Sequence, residues 1–285
     1  EFIFWNNDGT IYQKGTYKLN KLDGLLTTYF PNGQVDTESN YTDGLLNGVS
    51  TVYSNEGKTR LVAEYANDTL NGRWESYFDT GELNYKGIKV KGNFQDTLYA
   101  YYKNGKLQRK ARYENGLVVG LVIGYFPSGT KMIETNYKYG KMDGQSTEYH
   151  ENGFVSEKGM YADNQKVGLW ESYYPNGVLH SKGEFEKSLF EGEWMVYHPN
   201  GSVKQKGNYR NGKSDGTWCY FDSKGCLFLT GNYVENLHQG IWTTFYLNGK
   251  VAGRVNYING VEYGPAWTYD EKGILYHKLK LDNGK

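Results

Sequence analysis

The chain has 285 residues, with 28 Tyr and 37 Gly but only 38% hydrophobic residues, which is not the composition of a close-packed globular core. Tyr and Trp cover a sheet while keeping one polar atom in water, and Gly supplies turns, so the mixture points to a thin all-β array. A formal net charge of zero provides no global field for phosphate backbones or anionic membranes, and no apolar run approaches the roughly 20 residues of a membrane-spanning helix, so neither a nucleic-acid partner nor a transmembrane segment is expected.

In chain order the first predicted element is a hairpin about Gly9. It returns with a fixed 24-residue period at Gly33, Gly57, Gly81, Gly105, Gly129, Gly153, Gly177, Gly201, Gly225, Gly249 and Gly273. With each of these glycines taken as position zero, a second turn is predicted eleven residues later. Asn20, Gly44, Asp68, Gly92, Gly116, Gly140, Asn164, Ser188, Gly212, Asn236, Gly260 and Gly284 stand there, nearly all residue types that tolerate a positive φ. Another glycine follows at +15, from Gly24 to Gly264, with Asp96 the one departure. The first turn often reads Pro-Asn-Gly, as at Pro31-Asn32-Gly33, which predicts a three-residue loop with Gly in the left-handed position. That loop pairs −3 with +1 and −4 with +2, and an unbroken ladder beyond it pairs −7 with +5. The expected fold is an all-β, elongated single-sheet array of about twelve 24-residue antiparallel β-hairpin repeats, continuous over residues 1–285.

Under this register one face carries an aromatic at −4 in every unit, from Trp5 and Tyr29 to Tyr269, mostly with Val, Ile or Leu opposite, such as Val35, Leu179 and Val203. Small residues at +6, such as Gly159, Gly183 and Gly207, and aromatics at +8, such as Tyr161 and Phe185, join them as the packed face. The other face is predicted to set Trp at −7 opposite a basic residue at +5: Trp74 with Lys86, Trp170 with Lys182, Trp194 with Lys206, and Trp242 with Arg254. These are candidate cation–π pairs and the candidate binding face. Lys14, Lys110, Lys158 and Lys278 extend the basic row, and Glu38, Val62, Glu134 and Thr230 interrupt it.

Farther along, Lys89 replaces the aromatic at +8 and Asp96 the glycine at +15, an irregular connection that offers a bend or a contact site. His150 and His198, both at −3, are two units and so about 19 Å apart in a regular sheet, too far to share a metal. No Cys-x-x-Cys, His-Glu-x-x-His or Gly-x-Ser-x-Gly pattern occurs, so no metal site, no cofactor and no catalytic residue is expected. Cys219 and Cys226 flank one turn out of register, against a disulfide. Near the end Pro265 follows Gly264 and Leu281 replaces the +8 aromatic, while Asp282-Asn283-Gly284 repeats the start of a further connection. The array is therefore expected to be a fragment of a longer chain, and its compartment stays open.

The Tyr-Tyr/Phe-x-Asn-Gly turn, the Lys-Gly-x-Tyr strand and the Asn-Gly-Lys-x-x-Gly-x-Trp connection, clearest over 168–185, 192–209 and 216–233, resemble the variant type of the membrane-occupation-and-recognition-nexus (MORN) repeat. The resemblance implies an elongated single-sheet array used for protein contacts and assembly, without enzymatic activity; bacterial members of the family carry antitoxin-like labels. A protein partner is expected. A glycan stacked on Trp and Tyr rows is the alternative, and a third is that the repeats serve an enzyme or toxin domain elsewhere in a longer chain.

Overall fold

The computed structural model describes residues 1–282. The described residues hold strands, turns and no helix, and the chain divides into two compact units, residues 1–141 and the residues from 142 onward. In each unit, strands that follow one another in sequence pair antiparallel: Gly24–Tyr29 with Val35–Thr42 in the first, Lys213–Phe221 with Leu227–Val234 in the second. A short ribbon, Tyr17–Lys18 with Lys21–Leu22, stands beside the first ladder. The start of a connection expected at Asp282-Asn283-Gly284 lies largely outside the described residues.

The turn at position zero forms as its sequence dictates. Phe30 N donates to Gln34 O at 2.8 Å, Gly33 N donates to Phe30 O at 2.8 Å, and Gly33 has φ 83°. Pairing of −4 with +2 follows, as Tyr29 with Val35 and Tyr173 with Leu179.

The expected register fails one step later. In every one of these hairpins +3 is an extra residue without a partner, so that −5 faces +4, −6 faces +5 and −7 faces +6: Tyr220 faces Leu229, Cys219 faces Thr230 and Trp218 faces Gly231. This is a β-bulge, and a one-residue slip exchanges the two faces for everything beyond it. It occurs equally in the hairpins of Gly9, Gly81 and Gly273.

The second turn is a two-residue loop with both residues at positive φ, as at Lys187 (50°) and Ser188 (65°), which is the type I′ geometry whose twist suits a hairpin. A wide bulge follows at +15, where the ladder passes over Gly216 (φ 80°), Thr217 and Trp218 against Gly207 alone. Asp96 takes the same conformation at φ 63°, so the irregular connection keeps the backbone of its neighbours.

Neighbouring hairpins are tied through their turns as well as their ladders. Asn at −1 donates to a carbonyl 23 residues on, as Asn152 to Pro175 O at 2.7 Å. The side chain at −3 does the same: Tyr174 to Tyr197 O at 2.8 Å, and in the same place His150 Nε2 meets Tyr173 O at 2.9 Å and His198 Nε2 meets Phe221 O at 3.0 Å. These two histidines are thereby committed to backbone carbonyls.

Candidate interaction faces

With +3 bulged out, Trp at −7 belongs with the small residue at +6 and the aromatic at +8. Trp170, Trp218 and Trp242 are only 3%, 2% and 5% exposed, although no second layer covers them. Each indole lies across the small residue of the preceding hairpin: a Cβ added to Gly159, Gly207 or Gly231 would overlap the rings of Trp170, Trp218 and Trp242 respectively. The aromatic at +8 closes the ring edge-on, as Tyr209 against Trp218 at 5.1 Å. The indole Nε1 atoms donate to the carbonyls of Met160, Asn208 and Asn232 at 3.1 to 3.2 Å. Those residues are at +7, beside the wide bulge, where the ladder is interrupted, so each Trp both fills a groove and satisfies a carbonyl.

The expected pairs Trp74–Lys86, Trp170–Lys182, Trp194–Lys206 and Trp242–Arg254 are not formed. Lys86 stands opposite Glu75, Lys182 opposite Glu171, Lys206 opposite Met195, and Arg254 opposite Thr243. The bulge is the cause, since it turns position +5 onto the face that carries the −4 aromatic. Lysine and aromatic do meet there, but the ring is Tyr: Lys14 Nζ lies 5.7 Å from the Tyr29 ring centre and Lys158 Nζ 5.3 Å from that of Tyr173. Lys158 also pairs with Glu171 at 2.9 Å, and Glu171 accepts the Tyr173 hydroxyl at 2.8 Å. The Lys158 ammonium holds the Glu171 carboxyl below its usual value, and hydrogen bonds to Tyr173 and Glu171 raise Lys158.

In the second unit this tyrosine face presents Lys158, Lys182, Lys206 and Arg254, and the intervening −6 residues are Glu171, Met195, Cys219 and Thr243. Among the described residues Lys182, Lys206 and Arg254 have no ion pair. Cys219 and Cys226 are both free thiols, and Cys219 Sγ contacts Thr230 Oγ1 at 3.4 Å.

Lys89 remains on the tryptophan face despite its charge. Its Nζ lies 4.3 Å from the Phe94 ring centre and 5.6 Å from that of Trp74, and it donates to Gly92 O at 3.3 Å. The cation thus takes the place of the missing ring edge.

His238 and Glu148, also on the tryptophan face, have displaced titrations. Burial pushes the His238 imidazole below its usual value; it lies 4.0 Å from the Trp242 ring, with Nε2 3.1 Å from the Tyr233 hydroxyl. Glu148 is directly opposite Glu157, whose carboxylate is paired with Lys166 at 2.8 Å, and Lys166 Nζ lies 3.8 Å from the Trp170 ring. Burial, and then the charge of Glu157, push Glu148 up. A carboxyl raised on folding subtracts from stability once ionised, and the deficit closes as pH falls below its unfolded value. Glu148→Gln is therefore expected to stabilise the protein by about 0.2–1 kcal/mol at neutral pH, the range of a directly opposed like-charged pair. The gain should disappear in acid, which urea midpoints at pH 7 and pH 3 will show.

No group of three or more metal-ligating side chains occurs among the described residues, and none of their helices could cross a membrane, since there are none.

Among known families, the MORN repeat variant model matches residues 22–43, 97–115, 166–187, 190–211 and 239–259, each segment centred on a hairpin with its glycine at zero. No curated protein sequence matches the chain. Among solved structures it is similar to the crystal structure of TcdB2-TccC3, at 12% identity over 98% of this chain and 19% of that one, TM-score 0.19. It is also similar to the Photorhabdus luminescens Tc holotoxin pore, at 11% identity over 96% of this chain and 22% of that one, TM-score 0.19. The chain spans about a fifth of the length of those chains, and likeness at such TM-scores bears on neither fold nor function. With the family model on five hairpins and the same 24-residue glycine phase in the others, the chain is an all-β repeat scaffold that carries MORN-variant repeats.

Proposed function

We propose that the scaffold is non-catalytic and holds a protein partner along its tyrosine face. The observation that carries this reading is the row of cations Lys182, Lys206 and Arg254, free of ion pairs among the described residues and bordered by Tyr or Phe at −4. Equivalent residues of adjacent hairpins repeat at about 9.6 Å, two strand spacings, which suits a partner with acidic groups along an extended surface. Tyr beside Lys gives such an interface rigid contact area together with charge.

The reading keeps the basic half of the expected binding face, Lys86, Lys182, Lys206 and Arg254, and leaves Trp74, Trp170, Trp194 and Trp242 to the other side. A glycan platform needs flat ring faces open to water, and the burial of Trp170 and Trp242 argues against that alternative. The irregular connection at Lys89 and Asp96 is a weaker contact candidate, because Lys89 is already engaged with two rings.

Affinity capture from the source cells, followed by lysine-directed crosslinking, tests the proposal. One stoichiometric protein is expected, with crosslinks at Lys182 and Lys206. The variant Lys182→Gln/Lys206→Glu/Arg254→Glu, which keeps a second carboxylate away from Glu171, should retain its melting temperature and lose binding at least tenfold, since changing rim charges acts on association and not on the fold. Recovery of free monomer alone, or a triple variant that captures its partner unchanged, sinks it.

A further inference from the structure

The tryptophan face is not filled evenly, and the gap has a composition of its own. In the hairpins of Gly105 and Gly129 the −7 position carries Leu98 and Val122 in place of Trp, and −5 carries Ala100 and Gly124. At the corresponding places of the Gly225 hairpin Trp218 and Tyr220 stack with ring centres 6.3 Å apart. Removing the rings opens a cavity of about 320 Å³ in the first unit, floored by Leu98, Ala111 and Val122 and walled by Tyr85, Tyr113 and Met132. Arg109 also lines it. Arg109 is exposed, sits at +4 at the margin of this cavity, and makes no ion pair among the described residues.

We infer that this cavity is a binding site for a flat aromatic ring that bears a carboxylate. The ring takes the space that Trp74, Trp170, Trp194, Trp218 and Trp242 occupy in their hairpins, with the tyrosine rings edge-on to it as Tyr209 is to Trp218. The carboxylate meets the guanidinium of Arg109, whose planar fork suits two parallel hydrogen bonds. An apolar socket with one charged group at its margin is the usual build of a small-ligand site. The site shares no residue with the cation row and stands independently of the partner proposed for that row. The same chemistry is offered by a free aromatic acid and by the C-terminal aromatic residue of a peptide.

Isothermal titration of the whole chain with N-acetyl-L-tryptophan tests the inference. Saturable one-to-one binding is expected, weakened roughly tenfold by Arg109→Gln, the loss of about one charge-assisted pair of hydrogen bonds. N-acetyl-L-tryptophanamide, which keeps the ring without the charge, should be weakened on the unaltered protein by the same factor, and N-acetyl-L-leucine should not bind. Leu98→Trp should abolish binding by restoring the ring; Gly87 lies beneath Leu98, the same glycine-under-Trp arrangement as Gly207 beneath Trp218, so this variant keeps its fold and its circular dichroism. A peptide ending in Trp that binds more tightly than N-acetyl-L-tryptophan points to a chain terminus as the source, and a weaker one to a free acid. Absence of saturable N-acetyl-L-tryptophan binding up to its solubility, or equal binding by the amide and by Leu98→Trp, overturns the inference.

Discussion

Trp218→Ala is expected to lower the local stability of its hairpin by about 3–5 kcal/mol, the range for emptying a buried aromatic site. Trp218 is 2% exposed although the sheet has no covering layer, so its burial is supplied by its own neighbours: Gly207 beneath, Tyr209 and Tyr233 at 5.1 and 6.0 Å, Tyr220 at 6.3 Å. Truncation also leaves the Asn208 carbonyl, which accepts from Nε1 at 3.2 Å, without its donor. Gly207→Val should destabilise comparably, because the new side chain overlaps the indole; Gly207 has no positive φ, so the backbone itself accepts a side chain. The two changes together should be milder than their sum. The chain already contains the exchanged arrangement, with Val255 at +6 opposite Ala266 at the next −7. A double-mutant cycle read by hydrogen exchange in Val203–Arg210 and Lys213–Phe221 measures the coupling, expected at about 1–3 kcal/mol. Strict additivity would show that ring and glycine do not share one volume.

Gly216→Val is expected to destabilise by about 1–2 kcal/mol for a different reason. Nothing lies within 4 Å of where its Cβ would stand, and the whole effect comes from φ 80° at the wide bulge. Gly216→Asp should cost distinctly less, because Asp96 occupies the same step of its own hairpin at φ 63°. Equal losses in thermal melts of the two variants would mean that crowding, and not backbone conformation, selects glycine there.

Much of this was legible in the amino-acid sequence because turns demand particular residues. Left-handed conformations at zero and at +11, the second residue of the type I′ turn, admit few residue types, so the period and both turns could be read directly, although Leu19, Lys91, Tyr139 and Glu235 all occupy +10. The metal and disulfide arguments rested on spacing alone. The bulge at +3 left no such trace. It needs no positive φ, and Asp36, Arg60, Met132, His180 and Phe228 all occupy it. The function of His150 and His198 was equally hidden, since a histidine at −3 reads as tyrosine does only once the next hairpin's carbonyl is seen above it.

The sequence by itself therefore determined a hairpin of 24 residues, its two turns and its likeness to the MORN repeat variant, through local conformational demands that each residue meets alone. Only the tertiary structure decided which side chains share a face. One unpaired residue per hairpin moves Trp170 from Lys182 to Gly183, buries it, and leaves the lysine opposite Glu171 on the other face. The alternation of a strand has period two, so a single extra residue reverses every assignment beyond it. Which residue is extra depends on how all the side chains of two strands pack, and not on the preference of any one of them.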